Sequence, residues 1–381
     1  MDDMKEIYLD NSATTALSDG VKARMREVME IYGNPSSLHF MGNTAHDVLE
    51  TARRQVAASL GVPRPEPGEL IFTSCGSESD NLAILGTAFA KPRRRGMRVI
   101  TTDSEHPGAE NAFRLLESQG FEVVRIPTRG GVLDFDRYAA ALNDKTFLVS
   151  MMTVNNETGA VMPIADMVKA VRRASPLALF HTDAVQGFLK VPFRAKALGA
   201  DMISVSAHKI HAAKGTGALY IRPGLPLPAF INGGGQESNY RSGTENMPGI
   251  CGFGAACAGT DAKADMEHMA HLRDLAREKL AQIDGLVLIG SQTAPHIVNL
   301  SLPGLRSQGI INCLQSDGIY VSAGSACSKG KKSHVLTQMN LDRRRLDSPL
   351  RISFSRFTTV SEIDALVLGI REGKKTIRAI K

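Results

Sequence analysis

The sequence predicts an α/β protein: a large domain built on a mostly parallel, seven-stranded sheet, with a smaller α+β domain beside it. Three observations carry that expectation. Short apolar runs alternate with longer helical patterns, as βαβ units require. Polar residues collect just beyond the ends of consecutive apolar runs. The texture then changes after Gly249-Ile250, where a long charged helical pattern begins.

In chain order, the strand candidates are Leu70–Thr73, Arg98–Thr102, Glu122–Ile126, Phe147–Met152, Leu177–His181, Met202–Val205 and Ala218–Ile221. Most are continuous apolar runs, as strands covered on both faces tend to be. Helical patterns lie between them at Ser79–Ala90, Pro107–Gln119, Ile164–Ala174 and Arg194–Leu198. Beyond residue 260, Ala262–Ile283 reads as a long helix, His296–Leu302 and Ile319–Ser322 as strands, and Val360–Lys381 as a terminal helix. The expected division assigns 16–260 to the large domain and 1–15 with 261–381 to the small one. The small domain carries a loop of small residues at about 322–333 around Cys327.

Composition sets the outer limits. The chain has 381 residues, 43% hydrophobic and 22% charged, enough apolar material for a sizeable core. Its formal net charge is +6, but the basic clusters Lys91–Arg95 and Arg343–Arg345 are short. They read as solvated faces, so direct nucleic-acid binding is not expected. Five cysteines, an odd number with no C-x-x-C pair, suggest free thiols in a reducing, cytoplasmic compartment. No apolar run approaches about 18 residues, so no membrane span is expected.

The polar residues converge. Phe147–Met152 leads to Asn155-Asn156-Glu157, Leu177–His181 to Asp183 and Gln186, and Met202–Val205 to Ser206, His208 and Lys209. In open α/β sheets, ligands bind beyond the carboxyl ends of the strands. A lysine becomes a useful nucleophile when burial or a neighbouring cation lowers its pKa from about 10.4, and His208 is the expected neighbour. Taken alone, Lys209 reads better as a surface lysine in a loop. Asp183 suits the ring nitrogen of pyridoxal 5'-phosphate (PLP), which needs a carboxylate to stay protonated, and it also suits a helix N-cap. Thr73–Ser79 follows a strand and opens a helix, which fits either a phosphate cradle or a plain capping box. His106 could stack on a flat ring or be structural. Two other patterns fail on spacing and context. Gly324–Lys331 has five residues between its glycines where a P-loop has four, and no Ser or Thr follows the lysine. His208 and His211 have no helix and no acidic ligand beside them, so no metal is expected.

With these groups in view, the chain resembles the cysteine desulfurases, PLP enzymes of the class V aminotransferase family. The resemblance runs nearly end to end. It is carried by YLDNSATT (8–15), YGNPSSLH (32–39), FTSCGSESDN (72–81), SEH (104–106), VNNETG (154–159), HTDAVQ (181–186), SAHK (206–209), GGGQE (233–237), RSGTEN (241–246), GSACS (324–328) and LRISFSRFTT (350–359).

The resemblance implies a PLP-dependent transferase of fold type I and a set of roles. Lys209 would anchor PLP and move the substrate proton. Asp183 would pair with the ring nitrogen, Gln186 with the ring hydroxyl, and His106 would stack and share in proton transfer. Asn156 would border the cofactor. Gly76, Ser77, Ser206 and His208 would hold the phosphate, with Thr244 reaching the phosphate of a neighbouring subunit in a homodimer. Asn34, Asn156 and Arg351 would fix the carboxylate of L-cysteine, a task an arginine fork suits. Cys327, among glycine, serines and lysines that favour its thiolate, would carry the sulfur as a persulfide. A sulfur-acceptor protein, either an Fe–S scaffold or a tRNA-thiolation enzyme, would then receive it.

The chain departs from the family pattern in places. Cys75 stands where glycine is usual, so a left-handed backbone position could be altered. Ala212-Ala213 replaces Gly-Pro, and Asn239 replaces a common glycine in a residue type that tolerates a left-handed conformation. Two other functions compete: a selenocysteine lyase or other β-eliminating enzyme of the same fold, and a PLP-binding docking scaffold. The first needs no protein thiol, and the second would show loss of Lys209, His106 or Cys327.

Overall fold

The computed structural model describes residues 6–90, 96–324, 333–339 and 341–377. Seven strands form the main sheet: β1 (Leu70–Thr73), β2 (Arg98–Thr102), β3 (Glu122–Ile126), β4 (Thr146–Met152), β5 (Leu179–Asp183), β6 (Met202–Ser206) and β7 (Gly217–Ile221). Their order is β1-β7-β6-β5-β4-β2-β3, parallel except for β7, which runs against both neighbours.

Strand periodicity explains the layers. Leu70 and Phe72 enter one apolar core while Ile71 enters another. The same alternation separates Ile100 from Val99, Val149 from Leu148 and Ile203 from Met202. Successive residues thus feed opposite faces of the sheet, and both faces are covered. One is packed by helices α1 (Asp19–Met29), α2 (Phe40–Ser59) and α6 (Met247–Ala258), the other by α3 (Gly76–Asn81) with its continuation to Ala90 and by α4 (Pro107–Ser118). On the first face, α5 (Ile164–Ala174) also contributes Ile164, Met167, Val168 and Val171.

Another apolar core gathers beneath a three-stranded antiparallel sheet of β8 (Val287–Ile289), β9 (Ile297–Ser301) and β10 (Pro349–Ser353). Helices α7 (Ala262–Ala281), α8 (Ser307–Ser316) and α9 (Val360–Thr376) cover it. Leu9 belongs to this core, and Ile7–Tyr8 pairs in parallel with Ile319–Tyr320. The first described residues therefore lie against the chain's last third before crossing to the main sheet.

The seven predicted strands form, with small changes of length and one displacement. The strand expected at Leu177–His181 runs from Leu179 to Asp183, because Leu177 is exposed in the turn after α5. That shift makes Asp183 the last residue of β5. The helix expected at Ser79–Ala90 starts earlier, at Gly76, and contains a π-helical turn at Leu82–Gly86 whose five residues are all buried. A π turn widens the helix locally, and such turns recur near functional sites. Helices α1, α2, α6 and α8 and strands β8 and β10 are additional to those expected from the sequence.

Candidate active site

The carboxyl ends of β4, β5 and β6 open onto a cavity of about 210 Å³. Strand β1 ends at the same edge, because Gly217 of β7 pairs with both Thr73 of β1 and Ser206 of β6. This close approach needs glycine: a Cβ at Gly217 would lie 2.7 Å from the Cys75 carbonyl carbon. The wall formed by Gly76 is equally tight, since a Cβ there would meet the Val185 side chain at 2.6 Å.

Lys209 follows β6 in a single 3-10 turn and reaches into the cavity. Its Nζ donates to the carbonyls of Ser12 at 2.6 Å and Ala13 at 2.7 Å. The amine is thus aimed by backbone oxygens of the N-terminal segment. Asp183 sits across from it at the end of β5, 8% exposed, and its Oδ1 accepts from the Val185 N–H at 2.8 Å. Burial raises the Asp183 carboxyl above its ordinary range, while the charges of His106 and Lys209 pull it back. Asp80, also in the wall, is pushed up by burial first and by Asp183 second. A cation placed between these carboxyls would be strongly favoured.

Another part of the cavity wall suits an anion. Ser206 Oγ is buried there with no hydrogen-bond partner, beside Gly76, Ser77 and His208. Burial, followed by the Lys209 charge, lowers His208 to about 3, so its imidazole is neutral at ordinary pH. Its Nδ1 faces Thr14 Oγ1 at 3.2 Å. Ser206 can therefore donate to an anion, and the Asp183 carboxyl can pair with a cationic N–H. A ligand that carries a phosphate and a protonated ring nitrogen satisfies both.

His106 caps α4, its Nδ1 accepting from the Gly108 N–H at 3.1 Å, and its ring lines the cavity. Gln186 is positioned by Nε2, which donates to the Ser12 carbonyl at 2.8 Å. Arg351 arrives from β10, 1% exposed. Its Nη2 meets Asp10 Oδ1 at 2.6 Å, its Nη1 donates to the Asn156 carbonyl at 3.0 Å, and its buried Nε has no partner. Asn156 and Arg351 thus bring the end of β4 and the small sheet together at one rim.

Not every predicted residue joins this cavity within one chain. Thr244 lines a separate cavity with Arg241 and Glu245. Asn34 is exposed, and its Oδ1 accepts from the Ser36 N–H at 2.9 Å. Cys327 lies outside the described residues. The flanks of its segment meet at one buried carboxylate. Ser333 Oγ donates to Glu157 Oε2 at 2.6 Å, and a Cβ at Gly324 would lie 3.0 Å from that same oxygen.

Two expectations change. Cys75 has φ −175°, an extended backbone open to any residue, so no left-handed strain follows from replacing glycine. Asn239, at φ 67°, does occupy the left-handed region. His208 cannot be the cation beside Lys209, because it is neutral. Lys190 is a buried amine near Lys209 that sequence reasoning missed, although a single lysine inside the apolar run Phe188–Phe193 was a legible signal. Sequence reasoning also passed over Asp80, which sits within a quoted motif, and the carbonyls of Ser12 and Ala13, which no side-chain pattern marks.

Comparison with known proteins agrees with this geometry. Residues 7–366 match the class-V aminotransferase family. A cysteine desulfurase of Trichormus azollae is 40% identical over 391 residues, covering 99% of this chain and 95% of that protein. A solved NifS-like protein superposes with a TM-score of 0.90 at 37% identity, covering 97% of this chain and 99% of that one. A second structure, SspA in complex with cysteine, superposes with a TM-score of 0.80 at 31% identity over 93% of this chain and all of that one. Family match, full-length identity and fold together place the chain in the class-V aminotransferase family, among its PLP-dependent cysteine desulfurases.

Proposed function

We propose that this chain binds PLP in the cavity at the ends of β4, β5 and β6 and converts L-cysteine to L-alanine, passing the sulfur to its own Cys327. The observation that supports this most is the presence of two complementary polar features in one cavity. Ser206 offers an unpartnered hydroxyl beside Gly76, and the buried Asp183 carboxyl lines the same cavity. Gly76, Ser77, Ser206 and His208 would hold the phosphate, Asp183 the ring nitrogen, Gln186 the ring hydroxyl and His106 the ring face. PLP bound here supplies an electron sink that makes the substrate Cα–H bond acidic.

The chain's own residues do the rest. Arg351, fixed by Asp10 and Asn156, lines the cavity with a buried Nε that has no partner, and it binds the substrate carboxylate. The Ser12 and Ala13 carbonyls orient Lys209 Nζ, which removes the α-proton. The Cys327 thiolate attacks the substrate sulfur. The new S–S bond forms as the substrate Cβ–S bond breaks, its electron pair stays on carbon, and a proton completes alanine. The persulfide then passes to an acceptor protein, an Fe–S scaffold or a tRNA-thiolation enzyme. Thr244, outside the cavity of its own chain, is read as serving a second copy in a homodimer. Among the described residues no helix is long and apolar enough to cross a membrane.

The test compares the parent with Cys327→Ala, each given L-cysteine and a reductant, with alanine and sulfide both measured. The parent is expected to make both in equal amounts. The variant is expected to make neither while keeping the absorbance of bound cofactor. A variant as active as the parent would remove Cys327 from the mechanism.

A further inference from the structure

Behind the active cavity lies a much smaller one, of about 20 Å³, lined by both Lys190 and Lys209. It holds roughly one water-sized species. Lys190 is 6% exposed, and its Nζ has no hydrogen-bond partner among the described residues. A buried ammonium without an acceptor is costly, and the nearby charge of Lys209 adds like-charge repulsion.

The surrounding groups do not relieve it. In the small cavity, Asp265 is engaged by Arg356 Nη1 at 3.4 Å. His211, also in that cavity, faces the Ala16 carbonyl at 2.9 Å and is held down to about 4 by burial. From the active-site side come the charges of Lys209 and Arg351, and Asp10 is already paired with Arg351. His208 and His296 are buried and neutral. The local field is therefore positive. Burial, then Lys209 and Arg351, bring the Lys190 ammonium down to about 7.

We propose that Lys190 is a positioning residue for Lys209: the two lysines line one small cavity and titrate as a pair, so that a proton on Lys190 drives Lys209 toward its reactive free base. This inference rests on the reading of Lys209 as the cofactor lysine. Coupled groups of this kind lose their protons in two steps that belong to the pair. The cationic neighbour that sequence reasoning sought in His208 would be Lys190 instead.

The experiment uses the full-length, PLP-loaded protein. The absorbance of bound cofactor is recorded from about pH 6 to 10 in the parent, Lys190→Met, Lys190→Arg and Lys209→Ala. Losing the positive neighbour should raise the midpoint in Lys190→Met by about half a unit or more, and Lys190→Arg, which keeps the charge, should show no rise. Thermal midpoints supply a readout independent of turnover. An unfolded lysine titrates near about 10.4 and Lys190 at about 7, so the unfolded chain binds more protons between those values. Parent stability should then rise with pH across that window, and Lys190→Met should lose the slope. A midpoint unchanged in Lys190→Met, or moved equally by Met and Arg, overturns the inference while the Lys209 reading survives. A pH-dependent cofactor band that persists in Lys209→Ala overturns that reading, and the inference with it.

Discussion

Replacing Arg351 by lysine tests how the substrate carboxylate is held. The guanidinium makes two fixed contacts, to Asp10 at 2.6 Å and to the Asn156 carbonyl at 3.0 Å, and its buried Nε has no partner. Lysine keeps the charge but has one compact head on a flexible stem. It can meet Asp10 or the ligand, not both in the fixed fork geometry. A hydrogen bond between charged groups contributes about 1.5–3 kcal/mol, so Arg351→Lys should lower kcat/KM about 10- to 150-fold. The carboxylate is held throughout the reaction, so the loss should fall mainly on KM. The assay is the initial rate of alanine formation against L-cysteine concentration, with cofactor absorbance as the check on an intact site. A KM within about twofold of the parent, in a protein of reduced thermal stability, would refute the reasoning and make Arg351 a structural bridge between Asp10 and Asn156.

Much of this site was legible because strand ends concentrate it. Asp183, Ser206 and Lys209 follow apolar runs closely, and the parallel sheet carries all three to one edge without help from distant residues. What could not be read depends on contacts across long sequence separations. Lys209 is aimed by carbonyls 197 and 196 residues away, and backbone oxygens carry no side-chain signature. Arg351 and Asp10 are 341 residues apart and meet only because the N-terminal segment lies against the small sheet. The strand β10 that carries Arg351 was itself missed, because Leu350 and Ile352 alternate with Arg351 and Ser353 and form no continuous apolar run. The protonation of His208 was misjudged for a related reason. Sequence proximity to Lys209 suggested a charge, but burial outweighs proximity once the loop is folded.

Two further substitutions separate cofactor chemistry from structure. Ser206→Ala removes a buried hydroxyl that has no partner in the chain, so the unloaded protein should be as stable as the parent or more so. Its affinity for PLP should nevertheless fall about tenfold or more by spectrophotometric titration, and unchanged affinity would detach Ser206 from the phosphate. Cys75→Ala addresses the thiol that lines the active cavity beside Gly76. Its extended backbone gives alanine no conformational penalty, and the substitution removes only the weak hydrogen bond from Ser74 Oγ at 3.7 Å. If Cys327 alone carries sulfur, Cys75→Ala should form alanine and sulfide within about threefold of the parent, a barrier change below about 1 kcal/mol. Loss of both products with cofactor absorbance intact would instead make Cys75 a second sulfur carrier. It would then be reachable from the substrate without leaving the cavity, and the cysteine in place of glycine would be a functional change and not a neutral one.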